Sequence, residues 1–130
     1  MSQLAAQVRQ CMSDLTESSD GKLTARFLFP VGFIGFQGHF PEAPILPAVC
    51  EIQAAVAMLE AWTKRDVKLR EIILAKFSSP VTCGEEVMYS CSVTMDDRDG
   101  ALVKATVVKH GENVARFKLT VAFDGESQER

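Results

Sequence analysis

The feature that most constrains the fold is an apolar segment in the middle of the chain. Between Ala48 and Trp62 the only polar residues are Glu51, Gln53 and Glu60. Pro47 precedes the segment and suits the first position of a helix, where its missing N–H costs nothing. A helix that is apolar on nearly every face must be buried. We therefore predict a central helix inside a curved antiparallel sheet, with a second copy of the chain extending the sheet or covering the remaining face.

The flanking sequence supplies the other elements of an α+β fold. An apolar stripe at helical spacing predicts an amphipathic N-terminal helix within residues 1–20, formed by Leu4, Val8, Cys11, Met12 and Leu15. Leu23, Ala25 and Phe27 alternate with polar residues, as expected for a half-buried strand. Four further strands are predicted at about 69–78, 86–95, 102–109 and 113–123, with a frayed tail at 124–130. Together, residues 1–130 are expected to form one domain.

Charge and composition narrow the classes of partner. The net charge of −3 and the pI near 5.4 argue against nucleic-acid binding. The longest uncharged stretch, 27–41, is too short for a bilayer span, and the N-terminus lacks the profile of a secretory signal. The four cysteines form no C-x-x-C pair and have no nearby histidine, which predicts buried free thiols and no metal site. A cytoplasmic location is the expectation.

One loop combines a histidine with three prolines just before the central helix. The segment 38–49 reads GHFPEAPILPAV and places His39 ahead of Pro41, Pro44 and Pro47. Proline fixes φ and lowers loop entropy, so the histidine would be held relative to the start of the helix. Because a catalytic base needs such restraint, we interpret His39 as a functional residue.

These residues resemble the GHFP-x-x-P-x-x-P-G-V signature of the β-hydroxyacyl-acyl-carrier-protein dehydratases of the FabA and FabZ type, in the hotdog superfamily. The segment 75–85, AKFSSPVTCGE, is similar to a second block of that family. The L-P-A-V form of the first block and its Gly-Phe-rich lead-in look more like the divergent ApeI dehydratase-like branch, linked to aryl polyene lipids. The resemblance implies a hotdog fold and a dimer with active sites at its interface.

The resemblance also implies a mechanism. His39 would remove the α-proton of a 3-hydroxyacyl thioester carried by acyl carrier protein or coenzyme A. A backbone N–H at the start of the helix, of Ala48 or Val49, would hold the thioester carbonyl. Phe40 would contact the acyl chain, although loop aromatic residues such as Phe33 and Phe36 more often belong to a core. No metal or redox cofactor is implied.

One departure from the family pattern keeps other functions open. The family's acidic residue maps onto Gln53, which cannot give a proton. Glu51 lies about 200° around the helix from Gln53, so we do not expect it to substitute. The chain could therefore be a dehydratase in which Gln53 orients the hydroxyl, or an acyl-binding subunit without turnover. It could also form a composite site with a second hotdog subunit that supplies the carboxylate. A hotdog thioesterase ranks last.

Overall fold

The described chain contains one central helix, a short N-terminal helix and six strands. The structure, a computed structural model, describes residues 3–36 and 45–124. The elements are α1 (Gln3–Gln10), β1 (Met12–Glu17), β2 (Leu23–Leu28), a 3-10 turn (Ile34–Phe36), α2 (Ala48–Thr63), β3 (Asp66–Phe77), β4 (Glu86–Met95), β5 (Gly100–Lys109) and β6 (Glu112–Asp124). The α+β prediction is confirmed.

The described strands form one antiparallel sheet in the order β1-β2-β4-β5-β6-β3. All five predicted strands are present, although β3 begins at Asp66 rather than Leu69. The hairpin between β5 and β6 turns on His110 and Gly111, whose φ values of 52° and 79° are both left-handed. Two such residues in succession match the right-handed twist of the flanking strands. β1 and β3 are left as the edges of the sheet.

The core lies between α2 and the concave face of the sheet. Ala54, Ala55, Met58 and Leu59 of α2 are fully buried. The inward-facing strand residues that join them in the core include Leu23, Phe27, Val87, Tyr89, Cys91, Val103, Phe117, Leu119 and Val121. Period-two alternation on β2 and β6 delivers these side chains to one face. The predicted central helix inside a sheet is therefore confirmed.

The N-terminal helix is shorter than the sequence predicts, which corrects that boundary. α1 ends at Gln10, and Met12–Glu17 pairs with β2 as an edge strand. The apolar spacing of Met12 and Leu15 fits a strand as well as a helix, and Ser13, Asp14 and Thr16 are weak helix formers. Backbone pairing with β2 decides the outcome, and Asp14 takes a φ of 56° where the register shifts.

Two further predictions concern the C-terminal tail and the aromatic residues of the loop before α2. Asp124, which was predicted to belong to a frayed tail, is the last residue of β6 and pairs with Asp66. The rest of that predicted tail, residues 125–130, lies outside the described ranges. Phe33 and Phe36 are buried, as their interpretation as core residues predicts. Within residues 3–36 and 45–124, no helix is long and apolar enough to cross a membrane.

Candidate active site

The predicted site residues divide between the described chain and the loop before α2. His39 and Phe40 lie outside the described residues. Ala48, Val49 and Gln53 occupy the first two turns of α2. The structure therefore fixes the start of the helix, at which the family signature ends.

The start of α2 is anchored to the segment before β4 and has no side-chain cap. The N–H of Leu46 donates to the carbonyl of Val81 at 2.7 Å, and Ile45 forms an isolated bridge with Thr82. Pro47 is the N-cap residue, and its side chain makes no capping hydrogen bond. The first N–H groups of a helix have no intrahelical acceptor and carry the positive end of its dipole. This end can hold a carbonyl oxygen on which negative charge develops.

A groove of about 380 Å³ runs along one side of α2. Its apolar lining comes from Val49, Ile52, Val56, Val67 and Leu69. Gln53 also lines the groove, and its side chain is partly exposed. The Gln53 amide can accept or donate a hydrogen bond there, but it has no proton to transfer.

A second cavity of about 340 Å³ lies on the other side of the helix start. We call it the Glu51 cleft. It is lined by Ile45, Leu46, Ala48, Glu51, Phe77, Ser78, Ser79 and Pro80. Ala48 therefore faces the cleft, whereas Val49 and Gln53 face the groove. Glu51 and Gln53 line different cavities, which confirms that they point in different directions.

Glu51 is the one polar or charged residue that is buried among the described residues. Its side chain is 3% exposed, and its Oε1 atom has no hydrogen-bond partner within the described chain. The hydroxyl of Tyr89 donates to the backbone carbonyl of Glu51 at 2.7 Å, which fixes this turn of the helix on β4. No functional role was predicted for Glu51 from the sequence. The sequence signal for such a role is a carboxyl in a helix that is apolar on nearly every face.

The protonation of Glu51 is set mainly by burial. Burial raises the pKa of Glu51 to about 7, against a smaller lowering by the Lys109 ammonium group. Burial, followed by the charge of Glu51, also raises the pKa of the Cys50 thiol to about 11. The same two causes, in the same order, lead the rise in the pKa of Tyr89. Near neutral pH, therefore, Glu51 is the group of this cluster that exchanges a proton.

Lys109 and Glu85 hold the outer wall of the Glu51 cleft. The Nζ atom of Lys109 donates to the carbonyl of Pro80 at 2.6 Å and to Glu85 at 3.1 Å. Glu85 also accepts bonds from the N–H and the hydroxyl of Thr82, both at 2.9 Å. Partial burial raises the pKa of Glu85, but the bonds from Thr82 and Lys109 outweigh it and lower that pKa overall. The segment from Pro80 to Glu85, before β4, is thus fixed by charge-assisted bonds.

The cysteines and acidic residues offer no metal centre in the described ranges. Cys11, Cys50, Cys83 and Cys91 are free thiols. Cys50 and Cys91 are buried as predicted, whereas Cys11 and Cys83 are only partly buried, which corrects that prediction. No group of three or more potential ligands lies together among the described residues. The chemistry available at the start of α2 is that of a helix terminus, an amide and a carboxyl.

The fold defines the class of protein. A curved antiparallel sheet around a central helix is the hotdog architecture, and solved hotdog structures superpose on the chain. The dehydratase heterocomplex ApeI:P from Xenorhabdus doucetiae matches with a TM-score of 0.67 at 15% identity, covering 85% of this chain and 96% of the other. The protein smu.793 from Streptococcus mutans, bound to acetyl CoA, matches with a TM-score of 0.62 at 11% identity, covering 90% of each chain.

Sequence relatives identify the family within that class. The sequence profile of the ApeI-like family, described as ApeI dehydratase, matches residues 15–118. The chain is also 31% identical over 113 residues to the 3-hydroxyacyl-[acyl-carrier-protein] dehydratase FabZ of Clostridium botulinum, covering 81% of this chain and 78% of that relative. The FabZ of Histophilus somni is 30% identical over 117 residues, covering 83% and 78%. The chain belongs to the ApeI-like dehydratase family.

Proposed function

We propose that the chain is a 3-hydroxyacyl-thioester dehydratase of fatty-acid or aryl-polyene-type lipid synthesis. The observation that carries the proposal is the family histidine motif, which leads directly into a helix start without a side-chain cap. The FabZ relatives act on substrates attached to acyl carrier protein, as their names state, and one hotdog neighbour binds acetyl CoA. The proposed substrate is accordingly a thioester of acyl carrier protein or coenzyme A, and the free thiols suit a cytoplasmic location.

The proposed mechanism divides the work between the loop and the helix. His39 removes the α-proton as a neutral imidazole, which is available near pH 7. The N–H of Ala48 or Val49 holds the thioester carbonyl while negative charge develops on its oxygen. Phe40 contacts the acyl chain. Substrate and product are at the same oxidation level, so the reaction needs no redox cofactor, and the proposed steps are proton transfers that involve no metal.

Gln53 occupies the position of the family acid and limits what that position can do. Its amide lines the groove beside Val49, where it can orient a substrate hydroxyl. A general acid contributes about 10²- to 10⁴-fold in rate, and an amide cannot replace that contribution. The proton for the leaving hydroxyl must then come from another group.

A composite site is the second candidate function. Gln53 favours it, because a second hotdog subunit could supply the missing carboxylate opposite His39. The fold neighbour from Xenorhabdus doucetiae is a dehydratase heterocomplex. Co-purification with a hotdog protein encoded beside lipid-synthesis genes, together with activity only in the mixture, would favour this second function.

The hydration of a trans-2-enoyl thioester tests the proposed function. Wild type is expected to consume the ultraviolet absorbance of the enoyl thioester, and His39→Ala is expected to lose about 10²- to 10⁴-fold of that rate because the base is removed. Release of free thiol, followed with a chromogenic reagent, separates hydrolysis from hydration. Thiol release without loss of the enoyl group would contradict the dehydratase in favour of a thioesterase.

We propose that the chain forms a homodimer through the β3 edge. Leu69, Ile72 and Phe77 pair in register with the inward-facing residues Val121, Leu119 and Ala115, yet they are 40–48% exposed. The concave face is therefore uncovered at this edge. An apolar edge strand with open backbone groups is a ready site for pairing with a second copy.

Ile72→Glu is expected to convert the dimer to a monomer, because it places a charge within the apolar edge. The molar mass measured by light scattering should fall from twice 14.3 kDa to 14.3 kDa. Leu28→Glu on β2 is the matched control, since Leu28 is 45% exposed but lies away from β3. A monomeric wild type, or a dimeric Ile72→Glu, would refute the β3 interface.

A further inference from the structure

The carboxyl of Glu51 is an acid in the Glu51 cleft that the family signature leaves unused. Glu51 is only 3% exposed, and its Oε1 atom has no hydrogen-bond partner within the described residues. A buried carboxyl without a hydrogen bond costs free energy, whether it is neutral or charged. Such groups in a cleft are candidates for a role with a ligand, because a ligand can supply the missing bond.

The two cavities offer two alternative positions for the reacting end of the substrate. Ala48 lines the Glu51 cleft, whereas Val49 lines the groove together with Gln53. A hydroxyl that enters the groove meets the amide of Gln53, whereas one that enters the cleft meets the carboxyl of Glu51. The carboxyls of the groove already have partners or lie in solvent: Glu60 accepts from the N–H of Val67 at 3.1 Å, Asp124 pairs with Lys68 at 3.2 Å, and Asp66 is exposed. Dehydration needs a proton donor for the hydroxyl, and the buried Glu51 carboxyl is the one whose Oε1 atom has no partner within the described residues.

We propose, on the basis of the dehydratase function above, that Glu51 is the general acid while an N–H at the start of α2, of Ala48 or Val49, holds the thioester carbonyl. The substrate class is a 3-hydroxyacyl thioester whose hydroxyl enters the Glu51 cleft. The hydroxyls of Ser78 and Ser79 line the same cleft and give the leaving water polar neighbours. Gln53 then contacts only the part of the substrate that lies in the groove.

The proposed step balances in protons and electrons. His39 takes the α-proton, and the electron pair of that C–H bond becomes the new double bond between the α- and β-carbons. The bond from the β-carbon to oxygen breaks, and the hydroxyl leaves as water with the proton of Glu51. The Glu51 carboxylate regains a proton and His39 loses one to solvent, which restores both groups.

The surroundings of Glu51 allow both of its protonation states near neutral pH. Cys50 on α2, Tyr89 on β4 and Lys109 on β5 are the titratable groups that interact with it, and Lys109 is the cation among them. With its pKa at about 7, the acid is protonated below neutral pH and ionised above it. The dehydration rate should therefore fall as pH rises through about 7, and Glu51→Gln should lack this fall.

The test measures dehydration of a 3-hydroxybutyryl thioester by five proteins across pH. They are wild type, His39→Ala, Glu51→Gln, Gln53→Ala and the matched control Glu112→Gln, which changes an exposed carboxyl in the β5–β6 hairpin. At about pH 6.5, Glu51→Gln is expected to lose about 100-fold or more in kcat with little change in KM, because the acid acts in the transition state. Glu112→Gln should keep the kcat of wild type.

The outcomes separate this assignment from the proposed function. An active wild type that His39→Ala silences but Glu51→Gln does not would overturn the role of Glu51 and leave the dehydratase standing. A larger loss of kcat in Gln53→Ala than in Glu51→Gln would also overturn it. A wild type without dehydration would contradict the proposed function, and the acid role with it. A correctly folded Glu51→Gln variant whose kcat is much lower, and whose rate no longer decreases as pH rises through about 7, supports Glu51 as the general acid.

Discussion

Glu51→Gln is expected to be more stable than wild type by about 3 kcal/mol above neutral pH, and to have nearly the stability of wild type below about pH 4.5. The reason is the cost of ionising a carboxyl inside the protein. The ordinary pKa of a glutamate, 4.5, applies to the unfolded chain, whereas burial raises the pKa of Glu51 to about 7 in the folded chain. Glutamine has nearly the shape of the neutral acid but never ionises.

The sign and the pH window follow from those two values. Below 4.5, Glu51 is protonated in both states, and burial of the carboxyl adds no ionisation cost. As pH rises towards 7, the unfolded chain releases its proton while the folded chain retains it, so the stability of wild type falls. Above 7 the loss is complete, and it equals the difference between the two pKa values at about 1.4 kcal/mol for each unit.

Urea unfolding from about pH 4 to about pH 8.5 measures this difference, with Glu112→Gln as the control. The exposed control carboxyl should give a stability curve parallel to that of wild type. A Glu51→Gln variant with the same pH dependence as wild type would contradict the raised pKa. Combined with the expected loss of kcat, a gain in stability would mean that the fold tolerates Glu51 for its chemistry, since functional groups often reduce stability.

Parts of the fold follow from local patterns in the sequence. The apolar segment behind Pro47 predicted α2 almost to its bounds, because burial on all faces leaves a clear signature in composition. β4 begins and ends at the predicted residues, Glu86 and Met95. The hairpin between β5 and β6 falls in the gap between two predicted strands, at His110 and Gly111, where both residues adopt left-handed φ. In each case the deciding interaction is close in sequence.

Other parts depend on contacts between distant segments. Met12–Glu17 became a strand because β2 offers an edge with which it can pair, and helical spacing alone could not show that. The position of Gln53 came from the family signature, but its environment, the groove, depends on β3 and Asp124. Glu51 gained its cleft from Phe77 to Pro80, which approach α2 only in the folded chain. Helical geometry predicted the direction in which the Glu51 side chain points, whereas its burial depends on packing against these distant residues.

Phe117→Ala is expected to lower the free energy of unfolding by about 3–5 kcal/mol. Phe117 on β6 is 2% exposed, and its ring centroid lies 5.6 Å from that of Phe77 and 6.3 Å from that of Tyr89. Truncation removes apolar contacts and leaves a cavity between strands that cannot close without disturbing the sheet. A loss of this size is a large share of the stability of a typical domain.

The cavity left by Phe117→Ala should also disturb the Glu51 cleft. Phe77 belongs to the wall of the cleft, and Tyr89 supports Glu51 through the bond from its hydroxyl to the Glu51 carbonyl. Urea unfolding would give the loss of stability, and Met95→Ala, at a side chain that is 55% exposed, is the control expected to change it little. A loss below about 1 kcal/mol in Phe117→Ala would show that Phe77 and Tyr89 are held by other contacts, so that the cleft does not depend on this ring.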